Sequence, residues 1–277
     1  MLEYNDISFK LSKTITRKYS TSFSLGIHML DRKFHSAIYA IYGFVRMADE
    51  IVDTFHDFDK LKLLTDYRFE TYKALNEKIS TNPVLHAFQL TVHQHGISRD
   101  VIDAFLHSME TDLDTKFHTV DTYNEYIYGS AEVVGLMCLK VFCEGNEEQY
   151  QSLIYPARKL GSAFQKINFL RDMKSDFKER GRNYFPGIDW DHFTNGEKKE
   201  IEDDIENDFE EGYAGIKRLP DGARLGVLVA YIYYHALFGK IKKLPANRIM
   251  EERIRVANQQ KLALLVQTYF KYYLNVL

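Results

Sequence analysis

Along most of the chain, apolar residues recur at steps of three and four rather than alternating, the signature of helices with one buried face. The first clear stretch runs from about Phe34 to Asp53, with Ile38, Ile41, Tyr42, Val45 and Met47 in phase. Further helices are expected over about Leu61–Lys78, Val84–His95 and Arg99–Phe117. Thr122 and Glu125 have capping-box spacing and would open a helix reaching about Phe142. Gly145 and Asn146 mark a stop and a new start, and that next helix continues to about Asp176. Thr194 and Glu197 form a second capping-box pattern, and two long helical stretches follow Pro220. The segment from Gly181 to Gly196 reads as the largest loop, and an exposed one. The final stretch, Leu262 to Leu277, is interrupted by Gln267, Lys271 and Asn275 and reads as a packed helix.

No repeat, low-complexity linker or composition break divides the 277 residues, so one all-α domain spanning 1–277 is expected. Net charge is −3, which gives no basic field for nucleic acid, and no nucleic-acid partner is expected. The two cysteines, Cys138 and Cys143, are poorly spaced to bridge each other on a helix and read as buried thiols; a reducing cytosol fits. The N-terminal residues lack the basic-then-apolar pattern of a secretory signal. No uncharged apolar stretch reaches the ~20 residues that span a bilayer. Aromatics are plentiful at 14%, either filling the core or lining an apolar cavity.

Asp49 and Asp53 share one helical face, as do Asp172 and Asp176. Like charges at this spacing repel unless solvent, a cation or an arginine offsets them. The same spacing occurs at Glu200/Asp204, Glu202/Glu206, Asp204/Asp208 and Glu206/Glu210, in a run expected to be a solvated face. The two aspartate pairs differ because each closes an otherwise apolar helix. Gln165, Asn168, Asp172 and Asp176 form one polar stripe between Phe164, Ile167 and Leu170, as an exposed face or the lining of a wet cavity would require. Hard oxygen donors of this kind suit Mg²⁺. Arg46 and Arg171 accompany the pairs, as ion-pair partners or as bidentate ligands of phosphate oxygens.

These residues resemble the squalene/phytoene synthases. Leu160, Gly161, Gln165, Asn168, Arg171, Asp172, Asp176, Arg182, Tyr184 and Pro186 are similar to one family signature, and Asp49-Glu50-Ile51-Val52-Asp53 to the first aspartate-rich motif. Tyr42 and Arg46 stand where the family has them; Ser20-Thr21-Ser22-Phe23 resembles its phosphate-contacting segment, and Arg253 a late basic position. Tyr126, Ser130, Ala131, Val133, Val134, Gly135 and Cys138 agree with the other signature, while Ile127 and Glu132 depart from usually small residues. The resemblance covers roughly Ser20 to Val256.

The resemblance implies an isoprenoid-synthase-type helical bundle around a central cavity. Asp49, Asp53, Asn168, Asp172 and Asp176 would hold Mg²⁺, with Mn²⁺ as an alternative. Ser20, Ser22, Phe23, Tyr42, Arg46, Gln165, Asn168, Arg171, Tyr184 and Arg253 would bind substrate, and Tyr126 would act in catalysis. Two geranylgeranyl diphosphates would condense through a cyclopropylcarbinyl diphosphate to phytoene. With farnesyl diphosphate the product would be dehydrosqualene, or squalene if NADPH reduces it. The hydrocarbon product implies transient contact with a membrane surface from the cytoplasmic side, and carotenoid enzymes as further partners. The small residues Gly129, Ser130, Ala131 and Gly135 either leave room for a chain or allow close helix packing.

Two other classes compete. His56-Asp57 beside Asp53 is compatible with a helical HD-type phosphohydrolase, although His28 and His35 show no ligand spacing; a ferritin-like centre would need Glu-x-x-His repeats, which are absent. A non-catalytic relative that binds lipid or a protein would be expected to lose motif residues, whereas all four aspartates are present.

Overall fold

The computed structural model describes residues 1–114, 117–179, 181–251 and 253–274, and the described residues form thirteen α-helices with no strand pairing beyond one isolated bridge, Phe117 to Asn183. The helices are α1 (Leu2–Tyr19), α2 (Thr21–His28), α3 (Arg32–Asp53), α4 (Lys60–Glu77), α5 (Pro83–His95), α6 (Arg99–Asp114), α7 (Val120–Ile127), α8 (Val133–Cys143), α9 (Glu147–Met173), α10 (Asn195–Ile216), α11 (Asp221–Lys242), α12 (Ala246–Ile249) and α13 (Asn258–Tyr273). Two π-helical segments, Tyr128–Glu132 and Lys174–Glu179, interrupt the two signature regions. Such bulges are rare and concentrate at functional sites.

Two hydrophobic clusters fill the bundle. One joins α3, α4, α5, α6 and α8 around Phe44, whose ring stacks on Phe88 at 3.8 Å. The other joins α7, α9, α10 and α11 with residues 184–193 around Phe169, Phe209 and Trp190. The run 120–143 is apolar and long enough to span a bilayer, but more than half of its apolar window is buried within the bundle.

Hydroxyl groups explain why α1 gives no hydrophobic periodicity. Its inward stripe is Ser8, Ser12 and Thr16, all fully buried, and each hydroxyl donates to the carbonyl four residues earlier. These small side chains let α1 lie against Gly43 of α3, where a Cβ would come within 3.1 Å of Ser12 Oγ.

Several expectations need correction. The capping box begins at Thr119, not Thr122: Thr119 Oγ1 accepts from the Thr122 amide, and Thr122 Oγ1 accepts from the Thr119 amide at 2.9 Å. A threonine takes the acceptor role usually given to Glu or Gln, while Glu125 is exposed beside His107. The Thr194–Glu197 box is present as expected. The acidic run on α10 is not wholly solvated. Glu202 is buried and paired with Lys198, and Asp208 is buried against Lys159, Lys166 and Ser162. The segment after Gly181 is not an exposed loop, because Tyr184, Phe185 and Trp190 are buried in the second cluster. The last helix packs on α11 through Leu264, Leu265 and Tyr272 but leaves its other face open; residues 275–277 of the expected stretch, and 115–116 at the end of the Arg99–Phe117 stretch, lie outside the described residues.

Candidate active site

A cavity of about 400 Å³ opens between the two clusters. From α3 it receives Arg46, Asp49 and Asp53, from α6 Asp112, and from α7 and the π segment behind it Tyr126 and Ser130. The α9 helix and its π-helical extension supply Gln165, Asn168, Phe169, Arg171, Asp172 and Asp176. Arg182, Tyr184 and Arg253 complete the lining from connecting segments. Both aspartate pairs therefore reach one space from helices more than a hundred residues apart in sequence.

Each wall carries its own arginines. Arg171 grips Asp172 with Nε at 3.0 Å and Nη2 on the other oxygen, and Arg253 Nε reaches Asp172 at 2.7 Å. Arg46 pairs with Glu50, lies over the Tyr19 ring at 4.3 Å, and keeps its Nε without an acceptor. Arg182 bridges the walls: Nη1 stands 3.2 Å from Asp53 and 3.1 Å from Asp112, and Nη2 donates to the Asp112 carbonyl. Asp112 also accepts from the Tyr184 hydroxyl at 3.1 Å. Asn168 is held in place, donating to Gln165 Oε1 and accepting from the Tyr234 hydroxyl at 3.2 Å.

Burial pushes the Asp49 carboxyl up to about 7; Arg46 pulls it down, while Asp53, Asp112 and Glu50 push it further up. A divalent cation would relieve this crowding, and the surrounding donors are hard oxygens of the kind Mg²⁺ takes. Among the described residues no three His, Cys, Asp or Glu side chains form a ready-made metal cage. The paired carboxylates of Asp49 with Asp53 and of Asp172 with Asp176 are the donors that would be offered to such a cation.

Aromatic rings floor the cavity. Phe169 stacks on Tyr184 at 4.1 Å, and Tyr126 lies 5.3 Å from Tyr184; all three are buried. Ser20, Ser22, Phe23 and Tyr42 are not among the lining residues. Ser20 caps α2 by accepting from the Phe23 amide, and Phe23 packs on Tyr42 at 5.5 Å. Tyr42 is close enough to Ser20, Arg46 and Asp49 to interact with each, and burial pushes its hydroxyl up to about 12.

The two departures from the signature are accommodated away from the cavity. Ile127 is buried in the second cluster, and Glu132 pairs with Arg158 at 2.5 Å. The small residues divide in role. A Cβ on Gly129 would meet the Ala104 carbonyl at 2.5 Å, one on Gly161 the Ala131 carbonyl at 3.0 Å, and one on Gly135 the Ala157 carbonyl at 3.3 Å, so these three permit close helix packing. Ser130 instead lines the cavity. His56 is exposed and faces Lys60, which gives the phosphohydrolase reading no ligand set.

Asp112, Tyr234 and the bridging role of Arg182 were not anticipated. Asp112 left a legible signal: it prolongs the apolar face Val101, Ile102, Phe105, Met109 of α6, where an acid is costly unless paired. Tyr234 left none, because it is one of four aromatic positions in the run from Tyr231 to Tyr234 and His235 of α11.

Residues 16–260 match the Squalene/phytoene synthase family. The 4,4'-diapophytoene synthase of Staphylococcus haemolyticus is 26% identical over 204 residues, covering 73% of this chain and 68% of that protein. The phytoene synthase of Arthrospira platensis is 30% identical over 189 residues, covering 65% of this chain and 61% of that protein's length. A dehydrosqualene synthase crystallised with a ligand superposes with a TM-score of 0.83 over 100% of this chain and 99% of its own, at 23% identity, a likeness of fold.

Proposed function

This chain belongs to the squalene/phytoene synthase family, and we propose from that membership and its cavity that it joins two allylic prenyl diphosphates head to head. The observation that carries the reading is the meeting of Asp49, Asp53, Asp172 and Asp176 with Arg46, Arg171 and Arg253 around one cavity floored by aromatic rings. Asp49, Asp53, Asn168, Asp172 and Asp176 would hold Mg²⁺, or Mn²⁺ in its place. Bound there, the cation supplies charge neutralisation of the diphosphate leaving group.

The chain's own residues supply the rest. Arg46, Arg171, Arg253 and the Gln165 amide offer donors to diphosphate oxygens. The faces of Tyr126, Phe169 and Tyr184 stabilise the allylic cation left after ionisation through their ring quadrupoles. Water would quench that cation, so the reacting carbons are best placed against the buried rings of Tyr126, Phe169 and Tyr184. Attack by the second prenyl chain, with loss of one proton as the cyclopropane ring closes, forms a cyclopropylcarbinyl diphosphate, and a second ionisation, rearrangement and loss of a second proton give the hydrocarbon.

We take geranylgeranyl diphosphate as the substrate and phytoene as the product. Farnesyl diphosphate, giving dehydrosqualene, is a second reading favoured by the similarity to a 4,4'-diapophytoene synthase; NADPH enters only if the product is squalene. Purified protein incubated with Mg²⁺ and each diphosphate, followed by chromatography and mass measurement of hydrocarbons, tests both. Phytoene from the longer substrate supports the first reading, and dehydrosqualene from the shorter moves the assignment to the second. Folded protein giving no hydrocarbon from either leaves a non-catalytic relative.

A further inference from the structure

Two backbone features place the side chain of His118. Thr119 opens α7 with its capping box, which leaves His118 as the residue just before the cap. The preceding residue, Phe117, bridges to Asn183, and this brings His118 beside Tyr184. Its imidazole lies 5.3 Å from the Tyr126 ring and stacks on the Tyr184 ring at 5.7 Å. Those two rings line the cavity and His118 does not, so it forms a layer behind the aromatic floor. The residue is only 8% exposed, and neither ring nitrogen finds a hydrogen-bond partner among the described residues. A buried polar atom left unpaired is costly, and a phenylalanine would fill the same place without that cost.

We propose that His118 is a positioning residue for the condensation: its uncharged imidazole backs the Tyr126 and Tyr184 rings, and a proton on it opposes any cation held against them. The inference rests on the proposed reaction, in which those rings face an allylic cation. Burial holds the imidazole below its ordinary range, while the Thr122 backbone, near but outside hydrogen-bonding geometry, pulls less strongly the other way. No carboxylate among the described residues acts on it. From α7 and the segment after Gly181, the hydroxyls of Tyr126 and Tyr184 are pushed well above the usual phenol range by burial and stay neutral. The α9 helix adds the uncharged ring of Phe169 to the same stack. The charged groups of that wall are Asp112 on α6 and Arg182, and these pair with each other at 3.1 Å.

The size of the effect follows from the spacing of the rings. A cation within ~6 Å of the ring centroids would stand roughly 10 Å from a charged imidazole. Two unit charges at that separation, in the intermediate dielectric of a protein site, weaken binding of the cation on the order of tenfold. By reciprocity, the bound cation makes His118 harder to protonate by the same factor.

Binding of geranyltrimethylammonium, a permanent cation on a prenyl tail, tests this without turnover. Calorimetry of the full chain with Mg²⁺ and pyrophosphate present compares pH 8 with pH 5. The parent should lose about tenfold more ammonium affinity over this range than His118→Phe does. His118→Gln, which takes no proton either, should follow His118→Phe and covers the case in which the phenyl ring fits poorly. Asp49 also titrates in this range, with its carboxyl at about 7, but all three proteins carry it. Mg²⁺ with pyrophosphate alone should therefore bind with no comparable loss that depends on His118. An equal loss of ammonium affinity in the parent and both variants, or a loss dependent on His118 that is as large for pyrophosphate alone, would overturn the proposal and leave His118 a packed ring. Absence of hydrocarbon from either prenyl diphosphate would overturn the reaction and leave the ammonium result standing.

Discussion

Replacing Gly129 by alanine separates the two roles that small residues can play in this helix. The added Cβ would lie 2.5 Å from the Ala104 carbonyl oxygen and 2.7 Å from Ser108 Cβ. The first of these is backbone, so α6 and the π-helical segment must move apart. Overpacking of this kind costs up to ~3 kcal/mol, and the better helix propensity of alanine returns ~1 kcal/mol. A net loss of about 2 kcal/mol follows, or roughly 4–8 °C in melting temperature for a chain of this size. Gly239→Ala is the matched control: its Cβ would meet nothing within 4 Å, so the variant keeps the propensity gain of ~1 kcal/mol. Urea and thermal melts of the two variants should move in opposite directions. A neutral or stabilised Gly129→Ala that accepts only shorter prenyl chains would refute the packing argument and show that the glycine leaves room for substrate.

Asp49→Asn, like Asp172→Asn, should abolish hydrocarbon formation while the fold persists. For Asp49 the folded-state carboxyl lies at about 7 against an ordinary 3.8, so its ionisation costs stability progressively as pH rises through that window. Melts in a chelator should therefore show Asp49→Asn more stable than the parent above pH 7 and equal to it near pH 3. Asp208 behaves in the opposite sense. Burial alone would raise its carboxyl, but Lys159, Lys166 and Ser162 hold it below the ordinary range. Its contribution is present above pH 3.8 and fades as pH falls through the lower folded value. Asp208→Asn should cost about 3 kcal/mol at pH 7 by urea melt and less near pH 3. Tyr126→Phe should slow hydrocarbon formation more than diphosphate release, because its hydroxyl lies in the Asp112–Tyr184 network. An unchanged ratio of the two products would reduce Tyr126 to a packing role.

Helical periodicity and motif spacing were enough to place α3 to α6, α9, α10, α11 and α13, because those helices bury apolar faces that the chain itself displays, whereas the short α12 was not anticipated. The aspartate pairs were legible for a related reason: two acids one turn apart at the end of an apolar helix have few comfortable explanations. The α1 helix was not legible, since it buries hydroxyls that bond to their own backbone and leave no apolar rhythm. The capping box at Thr119 was misplaced by one turn for want of an acidic acceptor, and Thr122 supplied the hydroxyl instead.

Spacing within a helix determines which side chains share a face, and to that extent the sequence alone selected Asp49 with Asp53 and Gln165 with Asn168, Asp172 and Asp176. It could not determine what stands opposite. Arg182 between Asp53 and Asp112, Arg253 on Asp172, and Tyr234 on Asn168 join residues 66 to 129 positions apart in the chain. Tertiary packing also decided which acids of α10 face lysines rather than water, and left one face of α13 uncovered. Those pairings depend on how helices are placed in space, and local periodicity carries no information about that placement.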